Sequence, residues 1–332
     1  MIDLVSFIPS AIQQGIPLLY GSTGEILTEK SGNLNLGIPG VMYVGAISGV
    51  IGSFLYENSV PRGEALNPLL AVLIPILCSL IGSLIMGLIF CLLTVTLRAN
   101  QNVTGLAMTT FGIGFGNFFG SSLNKLVGND IAAIEMSRTS SYFSAKLPFG
   151  DSLGWFGKIF LSYGFLAYAG VIIAIAIAIV IKKTRVGLHL RAVGESPQTA
   201  DAAGISVTKF KYVSTCLGCM IAGLGGLYYV MDYMNGVWSN DAFGDRGWLA
   251  IALVIFTIWK TDIGILASFL FGGLYILHTQ LPSGIEHKEL VELYKMIPYV
   301  VTLVVLIITS MRNKKENQPP ESLGLPYFRE ER

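Results

Sequence analysis

Long apolar stretches alternate with short polar ones along almost the entire chain. Most of the apolar stretches reach or approach the roughly 20 residues that an α-helix needs to cross the hydrocarbon core of a bilayer. Because they are continuous and do not alternate with polar positions, they predict an all-α polytopic membrane protein and not a β-barrel. We expect about nine transmembrane segments, with eight to ten as the range. They cover approximately residues 8–27, 34–56, 69–97, 103–126, 156–181, 208–234, 247–260, 262–281 and 293–311.

Two of these segments depart from the length expected of a straight span. The segment at 247–260 is short, so that it either crosses as a separate span or forms a broken pair with the segment at 262–281. The segment at 69–97 is longer than a bilayer requires, which predicts a strongly tilted or kinked helix.

The composition supports the assignment to a membrane. Of the 332 residues, 52% are hydrophobic and only 13% are charged, whereas soluble domains carry roughly 25% charged residues. Such a chain cannot cover a surface that faces water, so membrane lipid is its expected surrounding. The formal net charge of +1 provides no bulk electrostatic attraction for nucleic acid.

The distribution of Lys and Arg predicts the orientation, because cytoplasmic loops carry an excess of both. If the C-terminus is cytoplasmic, nine spans place the N-terminus outside. Of the 22 Lys and Arg residues, 14 then lie inside, against 22 − 14 = 8 outside. An even number of spans would overturn this orientation. We expect a transmembrane domain over residues 1–312 and a polar cytoplasmic tail over 313–332.

Small residues recur at the spacing that lets helix backbones approach closely in a membrane. Each of the resulting stripes is expected to be a helix-packing face and not a nucleotide-binding motif, because it lies inside a span. The stripes are Gly45 and Gly49; Gly112, Gly116 and Gly120; and Gly218, Ala222 and Gly226.

Residues 24–40, GEILTEKSGNLNLGIPG, place charged and amide side chains between two apolar segments. One interpretation is an ordinary cytoplasmic hairpin, which agrees with the predicted topology. The other is a broken helix that lines the transport route, because irregular backbone near a bilayer is tolerated where protein or a water-filled cavity surrounds it. The sequence leaves both interpretations open.

Two further polar segments are expected outside the membrane. Residues 127–155 carry aromatic side chains, Phe143 among them, which either lie at the membrane surface or receive an external partner. Residues 233–248 place Arg246 and acidic groups close to two tryptophans. This second segment either gates an external mouth or forms a solvated turn, and we favour the solvated turn.

A long polar interval, residues 182–209, contains a compact helix signal. Ser196 is a favourable N-cap, Pro197 suits the first helical position and Gly204 suits a C-terminal stop. These signals predict a helix over residues 197–203, about 10 Å long. A short capped helix between two spans, on the positively charged side, is suited to contact another protein.

Several kinds of chemistry have no support in the sequence. It contains no G-x-x-x-x-G-K-[ST] phosphate loop and no H-E-x-x-H or G-x-S-x-G hydrolase motif. Its histidines, His189, His278 and His287, are far apart, so no metal site is expected. The spans lack the strings of acidic residues or histidines that mark proton relays, and Asp232 and Asp262 lie at span ends. A proton-coupled carrier is therefore disfavoured, and energy for transport would have to come from elsewhere.

Three motifs connect the chain to a known family. GEILTEKSGNLNLG at 24–37 is close to G-E-x-x-x-E-R/K-S-G-x-x-N-L-G, and LRAVGESPQTADAAGI at 190–205 is close to R-A-V-G-E-x-P-x-A-A-x-x-x-G-I. PESLGLPYFRE at 320–330 resembles P-x-x-L-G-x-P-Y-x-R-E. The chain thus resembles the permease subunits of ATP-binding-cassette importers for branched-chain amino acids, ribose and nucleosides. Pro39 and Thr199 depart from the family, in which glutamate and alanine are usual at these positions.

The resemblance implies an importer complex in a bacterial inner (plasma) membrane. Such a permease pairs with a second homologous permease, with cassette ATPases that bind ATP and Mg, and with an extracellular substrate-binding protein, often a lipoprotein. No cofactor is expected on this chain itself. The resemblance also implies that residues 191–205 form the coupling helix, which seats in a groove of the ATPase with Ala200, Ala203 and Ile205 filling that groove. The coupling residues it implies are Arg191, Glu195, Ser196, Pro197, Asp201, Gly204 and Ile205.

The first and third motifs point to a nucleoside as the substrate, with a sugar or a branched-chain amino acid as the alternative. A nucleoside requires stacking and hydrogen-bonding groups that face a cavity. A standalone secondary carrier or channel is a further alternative, favoured only if the helix at 197–203 is a chance loop. The side chains that we predict to line the substrate pathway are Asn33, Asn35, Phe111 and Asn117.

Overall fold

Helices dominate the structure, a computed structural model of the chain. It describes residues 4–61, 63–126, 133–146, 154–241, 243–277, 293–294, 296–312 and 318–328. The helices are α1 (Leu4–Glu29), α2 (Ile38–Ser59), α3 (Pro68–Cys91), α4 (Gln101–Leu126), α5 (Ser137–Phe143), α6 (Gly154–Phe160), α7 (Phe165–Lys183), α8 (Arg185–Glu195), α9 (Pro197–Ala202), α10 (Val207–Tyr228), α11 (Arg246–Phe256), α12 (Thr261–Ile276) and α13 (Ile297–Arg312). Two π-helical turns, Leu92–Thr96 and Tyr229–Tyr233, extend α3 and α10.

Helix α1 lies at the centre of the bundle. Every residue from Gln14 to Glu29 is buried, and the helix packs against α7, α10, α11 and α12. Its contact with α10 is a contact of backbones, since a Cβ atom on Gly24 would meet the carbonyl of Gly218. Small residues therefore set the distance between the two central helices.

The predicted glycine stripes are confirmed as packing faces. A Cβ atom on Gly45 would lie 2.5 Å from the Cα of Gly223 on α10. A Cβ atom on Gly112 would lie 2.5 Å from the Cα of Gly40, which joins α4 to α2. Lipid is itself apolar, so the hydrophobic effect does not drive these helices together. Their association is stabilised instead by the van der Waals contact that small residues allow.

Among the described residues, four helical stretches are long and apolar enough to cross a membrane: Ile38–Ser59, Pro68–Thr96, Phe165–Lys183 and Val207–Tyr233. The structure thus supports an all-α polytopic membrane fold without establishing nine spans. Helices α1 and α4 have 26 residues each, about 39 Å of helix, which is long enough to cross. The 29-residue stretch from Pro68 measures about 44 Å, so it agrees with the predicted tilt or kink.

The segment expected at 156–181 is not continuous, which corrects the prediction. It divides into α6 and α7 around Gly164, where a Cβ atom would collide with the carbonyl of Phe143 and the carboxylate of Asp232. Only a glycine allows these groups to approach so closely, and hydrophobicity alone gives no sign of that contact.

The broken-pair interpretation of 247–281 is supported at its first half. Helix α11 has 11 residues, about 16 Å, and is too short to cross the hydrocarbon core. It ends in a turn where Ile258 and Trp259 adopt φ values of +55° and +53° before α12 begins. Such values are rare for residues other than glycine and mark a constrained break.

Described parts of the two segments expected outside the membrane pack into the folded core. Strands β1 (Ala133–Glu135) and β2 (Val237–Ser239) pair antiparallel, with Ile134 opposite Trp238. Phe143 and Trp238 are both buried, so the prediction of Phe143 at the membrane surface or against an external partner is wrong. This short ribbon is the described exception to an all-helical chain.

Arg246 is buried at 8% exposure, and the predicted solvated turn is therefore wrong at this residue. Its guanidinium lies 4.5 Å from the ring centre of Tyr229, 5.0 Å from that of Tyr275 and 5.9 Å from that of Tyr233. Aromatic faces stabilise a buried cation because their ring quadrupole is negative. We call these four residues the arginine cluster.

Two glycines on α4 provide a test of backbone packing. Gly112→Ala should lower the free energy of unfolding by about 1–3 kcal/mol, because its methyl group would overlap the Gly40 backbone. Gly114 has open space in the Cβ direction, so Gly114→Ala should be neutral or stabilise by up to about 1 kcal/mol. Thermal unfolding of both purified variants measures the difference. Equal melting temperatures would contradict the packing of α4 on α2 through Gly112.

Candidate functional site

The three polar motifs, distant in sequence, meet at one end of the bundle. The backbone N–H of Ser322 donates to the carbonyl of Gly194 at 3.0 Å, and that of Gly324 donates to the carbonyl of Gly32 at 3.1 Å. We call the assembly of residues 24–37, 190–205 and 318–328 the polar junction. It is the candidate functional site.

The connection between α1 and α2 is an irregular backbone segment that is largely buried. The N–H of Asn35 donates to Glu25 Oε1 at 3.0 Å, and the N–H of Gly37 donates to Asn35 Oδ1 at 2.9 Å. The N–H of Leu34 donates to Gln101 Oε1 on α4 at 2.6 Å. Side chains of the motif therefore satisfy the connection's own backbone, and an ordinary solvated hairpin does not describe it.

Two more hydrogen bonds fix the same connection to neighbouring helices. Asn33 Nδ2 donates to Thr215 Oγ1 on α10 at 2.9 Å. Thr109 Oγ1 on α4 donates to the carbonyl of Leu36 at 2.8 Å. The connection is thus held from both sides, and its amide side chains are engaged within the protein.

The last turn of α1 carries two carboxyl groups, Glu25 and Glu29, one helical turn apart and both buried. They interact with one another, and the indole N–H of Trp259 donates to the Glu29 carboxylate. The sequence predicts no string of acidic residues in the spans, and the structure shows this buried pair at the end of α1. The carboxyl groups serve local structure, because Glu25 accepts from the connection and Glu29 from the break after α11.

Helix α9 confirms the predicted short capped helix. Thr199 N–H donates to Ser196 Oγ at 3.4 Å, Pro197 occupies the first turn, and Gly204 follows the helix with φ +81°. The helix ends at Ala202, one residue before the predicted end. It follows directly on α8, whose first turn is capped by Thr184.

The orientation of α9 corrects one expectation. Ala200 is only 3% exposed and packs with Val193 and Val207, and Ile205 packs against the same cluster. Ala200 therefore belongs to this chain's own core and does not fill a partner's groove. The exposed positions of the motif are Arg191, Glu195, Gln198, Thr199, Ala202, Ala203 and Gly204, with Ser196 and Pro197 partly exposed.

The tail segment 318–328 lies against the junction without regular helix or strand. Tyr327 Oη donates to Asp201 Oδ2 at 2.9 Å, and Arg98 lies 4.6 Å above the ring of Phe328. Ser322 Oγ adds a hydrogen bond of 2.6 Å to the Gly194 carbonyl. Asp201, one of the coupling residues that the resemblance implies, is thus held by this chain's own tyrosine. Its role in coupling is untested.

Two glycines make the junction possible. Gly32 has φ +85°, and a Cβ atom there would lie 2.7 Å from Ser322 Oγ. A Cβ atom on Gly194 would collide with the carbonyl of Lys30. Any larger side chain at these positions would push the first motif away from α8 and the tail. The motifs that contain Gly32 and Gly194 are recognisable in the sequence, but their contact with one another is not predicted from it. The two glycines are the signal that could have indicated this contact.

Pro39, the departure from the family pattern, has a structural place. It lies in the first turn of α2, where a missing N–H leaves no broken hydrogen bond. A Cβ atom on Gly247 of α11 would lie 2.5 Å from the Cα atom of Pro39. Pro39 thus fixes the start of α2 against α11.

The four predicted pathway residues do not come together. Asn33 and Asn35 lie in the polar junction, whereas Asn117 lies 16 residues after Gln101 on α4, a distance of about 24 Å along the helix. Asn117 Nδ2 donates to Asp241 Oδ1 at 3.0 Å, and Phe111 is 53% exposed. The described residues therefore place the candidates at two levels of the bundle.

Within the described part of the chain, no three His, Cys, Asp or Glu side chains are grouped so that they could hold a metal ion. His189 packs edge-on against Phe210. His278 and His287 lie outside the described residues.

Comparison with known proteins gives a consistent result. The family described as branched-chain amino acid transport system / permease component matches residues 8–306. The chain is 31% identical to a nucleoside ABC transporter permease protein of Lactococcus lactis, with 88% of each chain covered. It is 28% identical to a guanosine ABC transporter permease protein of Bacillus subtilis, covering 100% of this chain and 99% of the relative. It is 27% identical to a putative glucose ABC transporter permease protein of Haloferax volcanii, with 97% of each covered. No solved structure matches the chain.

Ser322 tests whether the tail is held at the junction. Ser322→Ala removes the side-chain hydrogen bond to the Gly194 carbonyl, and a typical loss of about 0.5–1.5 kcal/mol predicts local opening about two- to tenfold more frequent. Amide hydrogen exchange in residues 318–328 measures it. Ser141→Ala, which removes a hydroxyl bonded within α5, is the control. If tail exchange is the same in both variants, Ser322 does not hold the tail.

Proposed function

The chain belongs to the family of permease components of branched-chain amino acid transport systems, and from that premise we propose that it is the transmembrane subunit of an ATP-binding-cassette importer for nucleosides. The observation that carries the proposal is the polar junction. Its three motifs are those by which the chain resembles nucleoside-type permeases, and they meet around the short capped helix α9.

We propose that α9 and the end of α8 contact a cassette ATPase. Helix α9 is anchored on its inner side by Ala200 and by the Tyr327 bond to Asp201, while Gln198, Thr199, Ala202 and Ala203 are exposed. A groove of about 300 Å³ runs between the start of α9 and the tail. A short helix that is anchored on one side and exposed on the other can move as a rigid body when the partner that contacts it moves.

The residues proposed to contact the ATPase differ in how far they are exposed. Glu195 and Gly204 are exposed, Ser196 and Pro197 are partly exposed, and Ile205 is partly buried. Arg191 is exposed on α8, and Asp201, which accepts a hydrogen bond from Tyr327, completes the set. ATP and Mg would be bound by the partner ATPase and not by this chain.

The remaining partners are proposed from the family. A second homologous permease would complete the pathway, and an extracellular substrate-binding protein would deliver the solute. Basic residues support a bacterial inner-membrane orientation with the junction and C-terminus in the cytoplasm and the N-terminus outside. Lys30, Arg98, Lys182, Lys183 and Arg191 all lie at or beside the junction, as the excess of positive charge in cytoplasmic loops requires.

The proposed substrate is a nucleoside, which the two bacterial relatives named for nucleosides and guanosine support. We propose Phe111 and Asn117 as pathway contacts, because an exposed ring can stack on a base and the Asn117 amide, although bonded to Asp241, is only partly buried. Asn33 and Asn35 remain candidates of the original set, although their side chains are engaged within the junction. A sugar is the second candidate, since the relative from Haloferax volcanii is named for glucose.

Ala202→Arg tests the ATPase contact. The long charged side chain on the exposed face of α9 should reduce co-purification of the ATPase at least about tenfold, because an unpaired charge in an interface costs more than about 1.4 kcal/mol. Ala202→Ser should retain the contact, and Ser141→Arg adds the same charge at an exposed position of α5 as a control. Equal co-purification for Ala202→Arg and wild type, at equal thermal stability, would remove α9 from the interface without touching the family assignment.

Uptake tests the substrate. With its partner subunits in liposomes, the permease should take up labelled nucleoside only when ATP is supplied, and unlabelled nucleosides should compete while glucose and leucine do not. Competition by glucose alone would establish the sugar alternative. Uptake by the permease alone without ATP would establish a standalone carrier.

A further inference from the structure

Basic side chains gather around a cavity beside the polar junction. The cavity measures about 390 Å³ and lies between the ends of α7, α8 and α12, next to the connection after α1. Glu195 is the carboxylate on its wall. Its cations are Lys30, Lys182, Arg191 and Lys260.

An apolar groove adjoins this cavity. It measures about 230 Å³, runs between α7 and α12, and shares Ala178 and Lys182 with the cavity. Ile175, Ile179 and Ile265 form its apolar wall. The basic cavity and the apolar groove are therefore continuous along one face of the bundle.

Among the described residues that line the two spaces, positive and negative charges do not balance. The four cations of the cavity and Lys183 of the groove make five, against the two carboxylates Glu195 and Asp262, which leaves 5 − 2 = +3. Glu29 acts on Lys30 from behind the wall, and counting it as ionised still leaves +2. Lys182 and Asp262 pair at 2.8 Å, so the surplus belongs to the other cations.

Lys30 is a partly buried cation of this cavity. Burial lowers the pKa of its ammonium, and the charges of Arg191 and Lys260 lower it further, while Glu195 and Glu29 oppose them. A bound anion would offset both the burial and the repulsion. The cavity thus has the chemistry of an anion site.

We propose that the cavity and groove bind one anionic phospholipid, with its phosphate among the basic side chains and an acyl chain along α7 and α12. Basic pockets between the ends of membrane helices suit acidic head groups. Ile175 and Ile179 are each exposed by more than two fifths, and an acyl chain would cover them. A free phosphate would account for the cavity but not for the groove. The proposal is independent of the transported solute.

Lipid binding to the full-length permease, purified with its partner subunits and stripped of lipid, tests the proposal. Native mass spectrometry during titration should show tighter binding of phosphatidylglycerol than of phosphatidylcholine with the same chains. Lys30→Gln together with Lys260→Gln should weaken phosphatidylglycerol binding by about 10- to 30-fold, since each basic group near an anionic lipid contributes roughly a fivefold gain in affinity. Lys209→Gln, at an exposed lysine on α10, should leave it unchanged.

Two further measurements separate a lipid from a soluble anion. Ala178→Trp fills the space where the cavity meets the groove without changing the charge. It should also weaken phosphatidylglycerol binding. A large excess of inorganic phosphate should not displace the phospholipid. Equal binding of both lipids, equal affinity of the double variant and the Lys209→Gln control, or displacement by phosphate would each overturn the proposal.

Discussion

The junction exists because irregular backbone between α1 and α2 is buried and must be hydrogen-bonded there. Each buried N–H or C=O group left without a partner costs about 1–3 kcal/mol. The chain meets this requirement with Glu25, Asn35 and Gln101, which accept three of the segment's N–H groups. The composition of the first motif follows from this need, since its polar residues are the partners that its own unusual backbone requires.

Hydrogen bonds to backbone carbonyls also join the tail to this connection and to α8. The carbonyl of Gly32 accepts from the tail, and the carbonyl of Gly194 on α8 accepts from Ser322. The tail in turn holds Asp201 of α9 through Tyr327. Helix α9 and the end of α1, the central helix, are therefore connected by hydrogen bonds and close backbone contacts.

Local signals predicted local structure well. Ser196, Pro197 and Gly204 defined α9 to within one residue because caps act over a single turn. The glycine stripes predicted packing faces because small residues act through their own helix surface. The failures concern partners distant in sequence. Nothing near Ala200 shows that Val193 and Val207 will cover it, and nothing near Arg246 shows the ring of Tyr229. Likewise, the tail was recognised as a motif, but its place on α8 and α9 follows only from the fold.

Helix α11 connects the polar junction to the arginine cluster. Its first residue, Arg246, is enclosed by aromatic rings, and the turn after its end places Trp259 on Glu29. Gly247 and Pro39 bring its beginning against α2 at backbone distance. Helix α11 is about 16 Å long, so one short element, too short to span the bilayer, lies between the two polar clusters and contacts both.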